Sequence, residues 1–267
     1  MAGEAALRFD GEVALVTGGA GILGRRFCAG LARAGAQVAL VDISADAAQE
    51  AAAAIDGAEA FACDVSDPDS VRACVAAVIG RFGRIDVLLN NAATKSRDVR
   101  AFFAPFEDYS LETWREVMGV NIDGMFLMAQ AVGREMLASG RGGRIVQTAS
   151  IYGLVGPDAR IYEGSDYLGG PINTPAVYAA SKAAVIGLTR WLATHWADKG
   201  IRVNALVPGG VASGQNSAFS ELYSARVPMG RMAEADEMVG PMLFLASREA
   251  SYVTGQVLAA DGGWTAW

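Results

Sequence analysis

The chain has 267 residues, 52% of them hydrophobic and 32 of them glycine, enough for one large α/β domain or two small ones. Its 22 basic and 29 acidic residues leave a net charge of −7 and a pI near 4.8, which argues against a nucleic-acid partner, because a phosphate backbone needs a basic face. Cys28, Cys63 and Cys74 lie in apolar or helical contexts and read as buried reduced thiols, and the single His195 cannot build a metal site alone, so no metal is expected.

In chain order, short apolar runs alternate with longer helical ones. EVALVT (12–17) reads as a buried strand and ILGRRFCAGLARAG (22–35) as a helix that stops at Gly35. AQVALVD (36–42) is a second strand, DAAQEAAAAI (46–55) a helix, and EAFACDV (59–65) a third strand. Further strands are IDVLLNN (85–91), GRIVQTAS (143–150), IRVNALVP (201–208) and GQVLAAD (255–261), with helices filling the gaps. Among them are DPDSVRACVAAVIGRF, SLETWREVMGVNIDGMFLMAQAVGREML and the stretch that begins VYAASK. Strict β/α alternation with unbroken apolar strands predicts a doubly wound parallel sheet of about seven strands, with helices on both faces. No Pro/Gly/Ser linker or charge run divides the chain, so residues 1–267 are read as a single domain. Two loops are long, 92–110 and 151–176, and both follow strands. In a parallel sheet such loops stand at the carboxyl edge, where ligands bind. The opening MAGEAALRFDGE has no basic region followed by an apolar core, and no run approaches the roughly 18 apolar residues of a membrane span. A soluble cytoplasmic protein with no membrane partner is the expectation.

The first strand runs into TGGAGILG, Thr17 to Gly24, between a strand and a helix. Glycines let the backbone turn sharply and approach a pyrophosphate, and the helix N-terminus offers free N–H groups and a positive dipole end. Eighteen residues beyond Gly24, at the end of the second strand, stands Asp42. A carboxylate there accepts hydrogen bonds from adenosine ribose hydroxyls and repels a 2′-phosphate, which favours NAD over NADP. Arg25 and Arg26 lie one step into the helix rather than in the turn.

Tyr178 and Lys182 are four residues apart, hence neighbours on one helical face. A free phenol has a pKa near 10 and is a poor base; a nearby ammonium favours the phenolate and lowers that value. The phenol can then exchange a proton with an alcohol or carbonyl oxygen. Ser150, at a strand's carboxyl end, offers a hydroxyl to hold that oxygen. With a dinucleotide signature alongside, the set points to hydride transfer at a carbon that bears oxygen.

These motifs, in this order, resemble the classical short-chain dehydrogenase/reductase family from Val13 to Gly263. The resemblance implies a Rossmann-type fold and NAD as cofactor. It implies that TGGAGILG contacts the cofactor through Gly18, Gly21, Ile22 and Leu23, that CDV supplies Asp64 and Val65 at the adenine, and that NNAA places Asn90 on the cofactor pocket. VNIDGMF places Asn121 at a catalytic asparagine, at a break in its long helix, where it would hold a water that joins Lys182 to solvent. IVQTASIYG gives the catalytic Ser150, and YAASK the acid/base Tyr178 with Lys182, which would also bind the nicotinamide ribose. RVNALVPGGVAS places Val211 and Ser213 at the nicotinamide carboxamide. The chain departs from the family in four ways. The glycines are spaced G-x-x-G-x-x-G, with Ile22 at the usual middle position; Ala93 replaces a glycine; Ser213 stands where a threonine often touches the cofactor amide; and 27 residues separate Ser150 from Tyr178, about twice the usual spacing.

The 151–176 insert is expected to form one pocket wall with Asp158, Arg160, Tyr162, Glu163 and Asp166. The loop 92–110 would form another with Lys95, Arg97 and Arg100, and residues 213–230 a lid. Polar walls suit a small hydroxylated or anionic substrate, sugar-like or sugar-acid, although solvated loop charges would look the same in sequence. His195 lies 13 residues beyond Lys182, roughly 20 Å along the axis, and belongs to a surface or interface. Trp191, Trp196 and the tail GGWTAW are expected to pack between subunits, and the resemblance implies a homotetramer or homodimer. Two rival functions remain: an epimerase or dehydratase that cycles NAD internally, and a non-catalytic NAD-sensing protein.

Overall fold

The structure is a computed structural model that describes residues 7–167 and 169–267. The first six residues of the amino-terminal stretch, and Leu168 in the insert, lie outside the described residues. Among the described residues, seven strands form one parallel sheet: β1 (Val13–Thr17), β2 (Gln37–Asp42), β3 (Ala58–Ala62), β4 (Val87–Asn90), β5 (Gly143–Thr148), β8 (Ile201–Pro208) and β9 (Val257–Ala260). Their order is β3-β2-β1-β4-β5-β8-β9. The strands alternate in sequence with helices α1 (Ile22–Arg33), α2 (Ala45–Ala53), α3 (Pro68–Phe82), α5 (Leu111–Met118), α6 (Gly124–Ser139), α7 (Ala176–Trp196) and α9 (Val239–Ala246). The expected strands are all present, shorter by a residue or more at most ends.

Alternate residues of each strand serve opposite faces. In β1 and β2, Ala14, Val16, Val38 and Leu40 join Phe27 and Leu31 of α1 and Met242 and Leu245 of α9 in one core. Val13, Leu15, Ala39 and Val41 join residues of α3, α6 and α7 in the other. Unbroken apolar runs are what a two-sided sheet requires. The chain winds outward from β1 to β3, then returns across β1 to β4. That reversal opens a crevice at the carboxyl ends of β1 and β4.

Four features add to the sequence reading. The helix expected from Ser110 onward is two helices joined by a π turn, Gly119–Asp123, with Asn121 buried inside it; a break was expected at Asn121, and an i→i+5 turn is its form. The loop 92–110 contains a short helix, α4 (Val99–Phe102), started by Asp98, whose carboxylate accepts from the amides of Arg100 and Ala101. The insert carries a hairpin, β6 (Asp166–Tyr167) with β7 (Gly170–Pro171). Residues 213–230, expected as a lid, hold helix α8 (Ser217–Arg226), capped by the Asn216 side chain.

Candidate active site

The glycine turn is shaped by backbone packing. A Cβ on Gly24 would stand 2.0 Å from the Gly18 carbonyl oxygen, and one on Gly18, which has φ +63°, would meet Ala92 Cα at 2.9 Å. At Gly21 the nearest atom is the Gly18 oxygen at 3.2 Å. Gly21 caps α1 and, lacking a side chain, leaves the first amides of the helix uncapped. Asp42 folds over the turn, Oδ2 accepting from Ala20 N (3.1 Å) and Oδ1 from Ser44 N (3.3 Å). A carboxylate has about four acceptor sites, so ribose-type hydroxyls still find lone pairs there. Arg25 donates to the Ala20 carbonyl at 2.9 Å and pairs with Glu50 at 3.4 Å, while Arg26 pairs with Asp236 at 3.8 Å. Both guanidinium groups thus have partners other than a 2′-phosphate.

The floor of the crevice is latched by Thr17, which sequence reading passed over. Its Oγ1 accepts from the amides of Asn91 (2.9 Å) and Ala92 (3.1 Å), tying β1 to the turn after β4. Asn90 is 1% exposed, and its amide donates to the Met125 carbonyl of α6 at 2.7 Å. Its side-chain amide therefore ties the sheet to the helix. Asp64 accepts from the Ser66 amide (2.9 Å) and hydroxyl (2.6 Å), and Val65 is buried in the core.

Ser150, Tyr178 and Lys182 come together. Ser150 begins a 3-10 turn, Ile151–Gly153, with its Oγ accepting from Tyr152 N at 3.3 Å. A Cβ on Gly153 would lie 2.7 Å from the Lys182 carbonyl, so the missing side chain lets this turn rest directly on α7. Pro175 caps α7 and puts Tyr178 in its first turn. Burial pushes the Tyr178 phenol up from its ordinary value, and hydrogen bonding with Ser150 pulls it back. The Lys182 amine is 2% exposed as a residue, donates to the Thr148 carbonyl at 2.9 Å and stands 5.8 Å from the centre of the Tyr178 ring. Burial lowers it to about 8. Burial is the largest influence on both groups: it raises the phenol and lowers the amine, which faces the ring. Asn121 accepts from Thr94 N (2.8 Å) and donates to Ser181 Oγ (3.3 Å), so its side-chain amide braces the 92–110 loop against α7. Thr94, Ser181 and the Thr148 carbonyl carried no sequence signal, since their roles depend on which elements meet.

Val211 forms an isolated bridge with Ala233, and the Gln215 amide closes the segment: Nε2 donates to the Val211 carbonyl and Ser213 Oγ, both at 2.9 Å, while Oε1 accepts from Ser213 N at 2.7 Å. Several of the wall charges have ion partners. Asp158 pairs with Arg160 (2.8 Å) and with Arg226 of α8 (3.2 Å), which holds it down at about 2; Arg97 pairs with Glu116 at 3.9 Å. His195 lies away from the site, stacked on Trp191 with ring centres 4.6 Å apart. Trp196 and Trp264 are buried within the chain's own core, against the expectation of an intersubunit role, because Gly133 makes room for the Trp196 ring and Tyr223 stacks on Trp264. Trp191 and Trp267 remain exposed. All three cysteines are free and buried, and among the described residues no group of His, Cys, Asp and Glu could hold a metal. No described helix is long and apolar enough to cross a membrane.

Known proteins carry the same frame. A family model described as Enoyl-(Acyl carrier protein) reductase matches residues 19–265. D-threitol dehydrogenase of Mycolicibacterium smegmatis is 38% identical over 267 residues, spanning 97% of this chain and 94% of that protein. The chain belongs to the classical short-chain dehydrogenase/reductase family. A short chain dehydrogenase from Leptospira borgpetersenii with bound NAD+ superposes with TM-score 0.87 at 32% identity, over 99% of this chain and 97% of the other. A gluconate 5-dehydrogenase from Burkholderia cenocepacia, in complex with NADP and tartrate, gives TM-score 0.84 at 34% identity over 98% of each chain. As a short-chain dehydrogenase/reductase with relatives of this kind, the chain is an oxidoreductase of secondary alcohols that uses a nicotinamide cofactor.

Proposed function

We propose that the chain is an NAD-dependent dehydrogenase of a small polyol or sugar acid, interconverting a secondary alcohol and a ketone. The observation that carries this reading is the contact of Ser150 with Tyr178 above the buried Lys182, at the crevice whose far side is Asp42 and the uncapped start of α1. Gly18, Gly21, Ile22 and Leu23 would hold the pyrophosphate, Asp42 the adenosine ribose, and Asp64 and Val65 the adenine. Val211 and Ser213 would take the carboxamide, and Asn90 would support the pocket from beneath. Bound there, the nicotinamide supplies the hydride acceptor.

In the direction of oxidation, Ser150 holds the substrate oxygen. The serine can do so because its Oγ accepts the Tyr152 amide and lies against the Tyr178 phenol, which puts both hydroxyls at one substrate oxygen. Tyr178 takes the proton from that oxygen and returns it in reduction. The Lys182 ammonium compensates the phenolate across the ring face and is the natural partner of ribose hydroxyls. Asn121 keeps the 92–110 loop and α7 at the spacing this requires.

NAD is preferred because Asp42 repels a 2′-phosphate and Arg25 and Arg26 are otherwise engaged. The names of the relatives, a threitol dehydrogenase and a gluconate 5-dehydrogenase, support the polyol or sugar-acid class. A cytoplasmic homotetramer or homodimer fits this reading, with exposed Trp191, Phe126, Phe244 and Trp267 as the apolar surface for assembly. The test is NADH formation with a panel of polyols and sugar acids. Stoichiometric NADH supports the reading. Turnover without net NADH would point to internal cycling, and NAD binding without turnover to a sensor.

A further inference from the structure

Asp158 and Arg160 of the insert are paired, but three hydroxyls beside the catalytic pair are not fully used. Tyr152 lies two residues after Ser150, and Thr174 lies four before Tyr178. Tyr162, at the end of a 3-10 turn of the insert (Ala159–Tyr162), reaches Thr174, and the two hydroxyls are hydrogen-bonded. The Tyr152 hydroxyl is buried beside the Tyr162 and Thr174 hydroxyls but makes no hydrogen bond of normal geometry with either. Burial raises its phenol, with the Tyr162 phenol the next contributor, and the Tyr178 phenol also feels Tyr162. Tyr162 is held from behind by the lid: its ring stacks on Phe219 at 5.5 Å, and Asp158 and Asp166 of the insert bind Arg226 (3.2 Å) and the Asn216 amide (3.3 Å).

A buried phenol without a partner is uncommon and destabilising, so it calls for an occupant. Each hydroxyl has one donor and two acceptor sites. The Tyr162–Thr174 bond uses one donor and one acceptor, which leaves one O–H from that pair and the O–H of Tyr152. Two donors with several free lone pairs match vicinal alcohols, which also give and take at each oxygen. A carboxylate offers acceptors alone and calls for a cation, and the two arginines of this wall are both bound to Asp158.

We propose that Tyr152, Tyr162 and Thr174 are specificity-determining residues that bind the hydroxyls of an uncharged polyol beyond its reacting carbon, selecting it over the corresponding acid. The proposal rests on the dehydrogenase reading above. It also gives the long insert a task, since all three hydroxyls come from it.

The experiment compares wild type, Tyr152→Phe and Tyr162→Phe on threitol, on butane-2,3-diol, which lacks the terminal hydroxyls, and on threonate, with NAD affinity measured separately. Wild type should favour threitol over both other substrates. Each Phe variant keeps its ring and should lose about tenfold to a hundredfold in kcat/KM on threitol, mostly through KM, with NAD affinity and kcat/KM on butane-2,3-diol unchanged. Equal loss on both alcohols, no loss on threitol, or a wild-type preference for threonate overturns the proposal. Absence of NADH with every secondary alcohol overturns the dehydrogenase reading as well, so the two failures are told apart.

Discussion

The two walls of the crevice are built on opposite plans. At the glycine turn, backbone packs so closely that side chains are excluded at Gly18 and Gly24, and the Asp42 carboxylate beside it is fixed by two amides. On the substrate side, the insert and lid meet through side chains: an aromatic ladder from Tyr162 through Phe219 and Tyr223 to Trp264, with the Arg226–Asp158 pair beside it. A wall made of backbone recognises what every dinucleotide shares. A wall made of side chains can be changed one hydroxyl at a time without disturbing the fold.

The same substitution on each wall should break this contrast if it is wrong. Gly24→Ala drives a methyl group into the Gly18 carbonyl, while Gly156→Ala, in the insert, meets nothing within 4 Å. Overpacking against backbone costs about 3 kcal/mol or more. Gly24→Ala should therefore lower the melting temperature by about 6–12 °C and abolish NAD binding, whereas Gly156→Ala changes either little. Similar effects at both positions, read by thermal unfolding, would erase the distinction.

Asp42 tests what the cofactor wall selects. Two anions at about 4 Å repel by roughly 1 kcal/mol in water and about 4 at an effective dielectric of 20, which corresponds to a preference for NAD of roughly tenfold to a thousandfold. Asp42→Ala should narrow it, chiefly by weakening NAD. Equal wild-type kcat/KM with NAD and NADP would show that Asp42 does not face the ribose.

Where the walls meet, Lys182 should report its own burial. Its folded value, about 8, lies below the ordinary 10.5. Below pH 8 the amine is charged in both states, so the penalty for burying it is fully present. Between about pH 8 and 10.5 the unfolded chain binds the extra proton, and stability from this group rises with pH, by at most about 1.4 kcal/mol per unit. Denaturation of wild type and Lys182→Met should show Lys182→Met gaining relative stability below pH 8 and losing that advantage by pH 10. A pH-independent difference would mean the amine keeps its ordinary value. The smallest effect belongs to the insert–lid contact: Arg226→Ala should cost under about 1 kcal/mol in denaturant unfolding, because the pair is partly exposed and Asp158 keeps Arg160.

The alternation of apolar strands, the glycine turn with Asp42, and the Tyr178–Lys182 spacing were legible because each is local: period, turn and helical face lie within a few residues. Asn121 was half legible. Its motif pointed to a break, but the partners Thr94 and Ser181 come from other elements. Trp196 and Trp264 were misread as intersubunit residues because their cover, Gly133 and Tyr223, is distant in sequence. The pairing of the insert's charges was illegible for the same reason: only the fold shows that Asp158 meets Arg226.

The account centres on Tyr178 as the group that moves the proton. Wild type and Tyr178→Phe should be compared for NAD affinity and for NADH formation from threitol. NAD affinity should stay within a few-fold, since the ring remains, while turnover falls by about 10²–10⁴-fold. Turnover by Tyr178→Phe within a few-fold of wild type would contradict the assignment outright.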